Sequence, residues 1–264
     1  MAVSLSITSG KGGVGKSNCA VNLALSLARQ GQKTVLFDTD FGMANAHILI
    51  GSNPKHSAAE FLRGSVELAD ILTEGPLGLK FIAGGSGLLE LMNLDNEIRY
   101  RMLQSISQIE DDIDYLIVDT PAGASEGTLF FASATDIPVV VLVAEPTSFL
   151  DAYALIKAAH IEKKINQFSI MMNMAESGSS ARKNFEKFFH ICTRFLDVKL
   201  HYAGMVPLSN AIRKSVVKRS PIMVSQPTSP EANAFLALTK EFNRAPRNVQ
   251  NGIRFFSRDI MANN

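Results

Sequence analysis

The sequence predicts an α/β domain of three layers: a mostly parallel, twisted sheet with helices on both faces. Three observations predict it. Apolar runs such as TVLFD (Thr34–Asp38), YLIVD (Tyr115–Asp119) and IPVVVLV (Ile137–Val143) are continuous rather than alternating, as in strands buried on both faces. Segments of helical period separate these runs, so strands and helices alternate. The chain has 264 residues, 46% hydrophobic and 19% charged, enough apolar material for a large core and too little charge for disorder.

The elements follow in order. Val3–Thr8 is a short β-rich run and 10–15 a glycine-rich loop. From Lys16, the residues Ala20, Leu23, Ala24 and Leu27 recur at helical spacing until Gly31, and Thr34–Asp38 follows as a strand, which completes the start of a βαβ unit. Ala58–Arg63 and Glu67–Leu72 read as short helices, Leu79–Ala83 as a strand and Asp95–Gln108 as a helix. After the strands at Tyr115–Asp119 and Ile137–Val143 come a helix at Phe149–Lys163, a strand at Phe168–Met172 and a helix at Ala181–Phe195. Tyr202–Val206 is the last strand, followed by helices at Asn210–Lys218 and Pro230–Phe242. Residues 1–242 are read as one domain and 243–264 as a polar linker and a terminal helix.

The loop carries the chemistry. Gly10, Gly15, Lys16 and Ser17 fit G-x-x-x-x-G-K-[ST], the phosphate-binding loop, and the motif follows a strand and opens a helix. Glycines let the backbone N–H groups turn inward, and the helix N-terminus adds positive potential. The nucleotide-binding set is Gly10, Lys11, Gly12, Gly13, Val14, Gly15, Lys16, Ser17 and Asn18. Lys16 is expected to reach the β- and γ-phosphates of ATP or ADP, and Ser17 to offer a hard oxygen to Mg²⁺.

Three carboxylates stand where such a site needs them. Asp38 and Asp40 follow the second strand, at the edge where open α/β sheets gather ligands, and could hold a metal-bound water and orient the attacking one. A turn or N-cap role for Asp40 is the competing reading. Asp119 closes an apolar strand in the Walker B manner, so Ser17, Asp38 and Asp119 form the metal set. Asn173 ends SIMMN and Pro207 follows YAGMV; an asparagine there can read a base edge with both donor and acceptor.

The stretch KGGVGKS (residues 11–17) resembles the deviant Walker A loop of the MinD/ParA class of dimerising ATPases. That resemblance, not the spacing, implies that Lys11 crosses a dimer interface and neutralises charge at the partner's nucleotide. It implies that Asp40 positions the nucleophilic water, so the catalytic set is Lys11, Lys16 and Asp40. It places Gly123 in a second switch, Asn173 and Pro207 beside the adenine, and Glu145 at nucleotide across the dimer. The longer stretches VNLALSLARQGQKTVLFDTDFGMANAHILIG, EPTSFLDAYALIK and AIRKSVVKRSPIMVSQPTSP resemble the FlhG/FleN group. This implies a slow switch ATPase that sets flagellar number and placement. The implied partners are a second copy in the presence of ATP, an FlhF-type GTPase, flagellar C-ring proteins and a flagellar transcription activator. Members of that group often carry a GTPase-stimulating helix before the first strand; here the first strand begins about two residues in, so that activity is not expected.

Composition narrows the choice among relatives. Two cysteines, Cys19 and Cys192, give no CxxC pair for an iron–sulfur or zinc site. A net charge of +1 predicts no whole-surface polyanion binding, so DNA is not an expected partner, although a ParA-like partitioner or a MinD-like division regulator would share the same loop. No stretch reads as a signal peptide or membrane span, and the expected location is cytoplasmic. In the tail, Val249, Ile253, Phe256 and Ile260 share one helical face, Phe255 widens it, and four arginines stand against one aspartate in 244–264. Such a basic amphipathic helix can lie on an anionic membrane through Ile253, Phe255, Phe256 and Ile260, at a cell pole or flagellar base, or dock on the core.

Overall fold

The computed structural model of the chain describes residues 2–41, 45–85, 96–248 and 254–256. The element order is β1 (Val3–Thr8), α1 (Lys16–Arg29), β2 (Thr34–Asp38), α2 (Ala46–Ile50), α3 (Ala58–Leu62), α4 (Leu68–Ile71), β3 (Thr73–Glu74), β4 (Lys80–Ile82), α5 (Asn96–Ser107) and β5 (Tyr115–Asp119). It continues with α6 (Glu126–Ser133), β6 (Ile137–Leu142), α7 (Pro146–Lys163), β7 (Gln167–Ala175), α8 (Gly178–Phe195), β8 (Lys199–Pro207), α9 (Asn210–Val217), α10 (Ile222–Ser225) and α11 (Pro230–Phe242).

Among the described residues the strands form an eight-stranded sheet in the order β3-β4-β2-β5-β1-β6-β7-β8. Every pairing is parallel except β3 with β4. Alternate residues of each strand feed opposite faces. Leu5, Ile7, Leu36, Ile117 and Val139 pack under α1 and α11, in the layer that also holds Leu23, Phe235 and Leu238. Val35, Phe37, Leu116 and Val118 face the other way, towards Met102, Leu103 and Ile106 of α5 and Phe131 of α6. Val140, Leu142 and Ile170 meet α7 and α8 on the same side. The three-layer reading is borne out.

Register places the chemistry. Ile7 and Asp38 are both paired with Asp119, so the ends of β1, β2 and β5 lie abreast. The loop after β1 therefore opens beside two carboxylates at the carboxyl edge of the sheet.

Candidate functional site

The loop between β1 and α1 turns on two glycines. Gly13 and Gly15 have φ of +82° and +81°, a region that side chains other than glycine rarely enter. Gly10 is required for another reason: a Cβ there would sit 2.2 Å from the backbone of Asp151 in α7. A Cβ on Gly15 would sit 2.5 Å from the side-chain nitrogen of Asn173. Ser9 ties the loop from within, its hydroxyl donating to the Lys11 carbonyl at 2.9 Å. Gly123, on the opposite side, donates its N–H to the Ser9 carbonyl at 2.8 Å.

Lys16 is buried at the start of α1, and its ammonium lies 2.5 Å from Asp119 and 3.3 Å from the Ser17 hydroxyl. Asp119 is 1% exposed. A buried carboxylate is tolerated only when paired, and Lys16 supplies the pair. The donor set of Ser17 and Asp119 beside a lysine is hard oxygen, which fits Mg²⁺. The inward-curled glycine loop at a helix N-terminus fits a phosphate.

Asp38, expected in the metal set, also organises the backbone around it. One oxygen accepts from the Asp40 N–H at 3.0 Å, and the other from the N–H groups of Asn45 and Ala46, each at 3.1 Å. The side chain thus shapes the loop that carries Asp40 and caps α2. Burial and the neighbouring Asp119 carboxylate push its pKa up to about 7, despite those three donors. Asp40, partly exposed, lies in this loop at the same sheet edge.

Lys11 and Lys16 are separated in the folded chain. Lys11 reaches Glu145 at 2.7 Å and the Thr147 hydroxyl at 2.9 Å, at the start of α7. The lysine expected to act on a partner and the glutamate expected to touch a partner's nucleotide are here bound to each other.

A cavity of about 660 Å³ adjoins the loop, lined by Gly15, Asn18, Asn173, Met174, Pro207 and Arg213 among others. Asn173 is buried, and its amide donates to the Val14 carbonyl at 2.7 Å. The second amide hydrogen and the carbonyl oxygen remain beyond that bond, a donor and an acceptor on a residue that lines the cavity. Asn173 and Pro207 were expected here. Met174, with φ of +52°, and Arg213 were not; the only sequence signal for Arg213 was the basic run that contains it. Thr147 and the capping role of Asp38 had no sequence signal.

At the opposite edge of the sheet, Phe255 and Phe256 are buried, 0% and 6% exposed. Phe255 stacks on Phe131 at 6.4 Å between centroids, and its N–H donates to the Ala134 carbonyl. Arg254 pairs with Asp136 at 2.5 Å. The two phenylalanines form a turn docked on the core, and Ile253 and Ile260 lie outside the described residues. Among the described residues no helix is long and apolar enough to cross a membrane.

A phosphate-loop motif, a buried carboxylate at the end of β5 and an adjoining cavity at one sheet edge are the features of a nucleotide-binding protein of the P-loop class. Residues 5–222 match the CobQ/CobB/MinD/ParA nucleotide binding domain, and the chain belongs to that family. It is 37% identical to the antiactivator FleN of Pseudomonas aeruginosa over 96% of this chain and 91% of the relative. It is 33% identical to the flagellum site-determining protein YlxH of Helicobacter pylori, over 81% of this chain and 73% of the relative. These relatives bear out the resemblance to the FlhG/FleN group. The septum site-determining protein MinD of Pyrococcus horikoshii, solved with Mg-ADP, shares the fold with a TM-score of 0.74 at 21% identity, over 92% of this chain and 97% of that one.

Proposed function

We propose that the chain is a Mg²⁺-dependent ATPase that passes between a monomer and an ATP-bridged homodimer, and that this cycle sets the number and position of flagella. One observation carries the reading. The two lysines of one loop are directed apart, Lys16 inward onto Asp119 and Lys11 outward onto the rim at Glu145. In this reading Lys16 holds the subunit's own phosphates, and Lys11 leaves Glu145 to meet the partner's. Ser17 and Asp119, with Asp38 beside them, would hold Mg²⁺ and its waters, and the ion would supply charge neutralisation at the phosphates when bound. Asp38 fixes the loop from which Asp40 orients water. Asn173, with Pro207 beside it, borders the adenine and reads its edge with both a donor and an acceptor.

The names of the relatives FleN and YlxH support the flagellar assignment. The partners are then an FlhF-type GTPase, flagellar C-ring proteins and a flagellar transcription activator. The location is cytoplasmic with reversible membrane association. Membrane binding through Ile253, Phe255, Phe256 and Ile260 requires the tail to leave the core, because the two phenylalanines are buried. Two tails in a dimer would add their weak affinities.

Solution mass with ADP, with ATP, and with ATP in an Asp40→Ala variant, all in Mg²⁺, tests the cycle. A stable dimer of the variant with ATP and a monomer with ADP are expected. An unchanged mass throughout would sink the trans role of Lys11. Pelleting with anionic liposomes tests the tail: Phe255→Glu with Phe256→Glu should abolish ATP-dependent binding, and equal binding removes the membrane role.

A further inference from the structure

The helix α9 has two faces with different neighbours. One lines the cavity beside the phosphate loop through Asn210, Ile212, Arg213 and Val216. The other lines a separate cleft of about 290 Å³ through Lys214, Val217 and Lys218, with Asn210 and Arg213 at the shared border. Arg213, Lys214, Lys218 and Arg219 are all exposed, and among the described residues none of them pairs with a carboxylate. The sequence from Val198 to Pro230 holds no Asp or Glu at all. Lys214 and Lys218 stand four residues apart, a like-charge spacing that weakens a helix. Aliphatic side chains lie exposed among these cations: Val217 is 79% exposed and Leu208 66%.

We propose that this face of α9 docks an acidic peptide segment of a protein partner, its carboxylates on Lys214 and Lys218 and an aliphatic side chain against Val217. Charge complementarity selects an anion. The aliphatic component selects protein over nucleic acid, because phosphate backbones are met by cations, polar side chains and backbone amides rather than by exposed valines. A membrane fits less well: α9 spans only about 12 Å, and its cations and Val217 share one cleft instead of flanking an apolar face. This surface is distinct from that of Arg254, Phe255 and Phe256, which lie at the other edge of the sheet beside Ala134 and Asp136.

The test uses the full chain without nucleotide. A fluorescein-labelled peptide of alternating glutamate and leucine, a labelled DNA duplex and phosphatidylglycerol vesicles serve as probes. The peptide should bind the unmodified protein, and weaken as salt rises. The double variant Lys214→Glu, Lys218→Glu should lose at least about tenfold in affinity. Val217→Ser should lose a smaller factor, with an unchanged melting temperature in both variants. No peptide binding, equal binding by the double variant, or tighter binding of the duplex or the vesicles through the same residues would overturn the proposal.

Discussion

The ammonium of Lys11 and the carboxylate of Glu145 lie 2.7 Å apart in one chain, across the gap between the phosphate loop and α7. Both side chains are partly exposed, so the pair is worth under about 1 kcal/mol to folding. A contact this weak can be exchanged for another. Lys11→Ala should therefore leave the melting temperature almost unchanged and still bind nucleotide, yet lose ATP-dependent dimerisation and at least about a hundredfold in turnover. Calorimetry and single-turnover hydrolysis would separate the two effects.

Lys16 should behave in the opposite way. Its removal strands Asp119 at 1% exposure beside Asp38. Lys16→Met should cost about 3–5 kcal/mol in urea unfolding, even without nucleotide. Adding Asp119→Asn should recover part of that loss, since the stranded charge is then gone.

Gly10→Ala places a methyl group in the backbone of Asp151. The loop must move, and nucleotide affinity should drop by at least about tenfold while the chain still folds. Gly12→Ala is the control, because a Cβ at Gly12 meets nothing within 4 Å. Titration with a fluorescent ADP analogue compares them.

Phe255 fills a fully buried place among Phe131 and its neighbours. Phe255→Ala should cost about 3–5 kcal/mol if the tail stays docked throughout the unfolding transition. A loss below about 1 kcal/mol would mean that the tail leaves the core before the domain unfolds.

The histidines give the protein an acid limit. Burial lowers the pKa of His47 and of His201, from an ordinary 6.5, and each has a buried ring nitrogen without a hydrogen-bond partner. Each folded histidine thus binds fewer protons than the same residue unfolded, so the stability it contributes is complete above the ordinary pKa and falls as pH drops below it, while Asp38, with its raised pKa, acts in the opposite direction over the same range. A His201→Leu variant should show a shallower decline between about pH 6.5 and pH 5 in chemical denaturation.

Most of the sheet was legible because buried strands announce themselves as apolar runs. β1, β2 and β5 have the expected ends, whereas β7 and β8 run longer than expected, through polar positions at the sheet margin. α6 was not foreseen. Its sequence EGTLFFAS is buried at Thr128 through Ala132, so it lacks the polar stripe that marks a surface helix, and Gly127 and Thr128 further mask it. Its one signal is Ser125, whose hydroxyl accepts from the Thr128 N–H. β3 has only two residues and α2 five, too few to show a period. At the site, the motif located the loop, Lys16, Ser17 and Asp119. It could not reveal partners distant in sequence, such as Glu145 for Lys11 or the Val14 carbonyl for Asn173.

The close approach of Gly10 to Asp151 and Ala152 has a mechanical consequence. No side chain stands between the phosphate loop and the backbone of α7, so there is nothing soft to absorb a relative displacement. A displacement of α7 towards the loop therefore meets its backbone directly, and a shift of the loop towards α7 on filling meets the helix in the same way. The missing Cβ turns a turn and an 18-residue helix into a single lever.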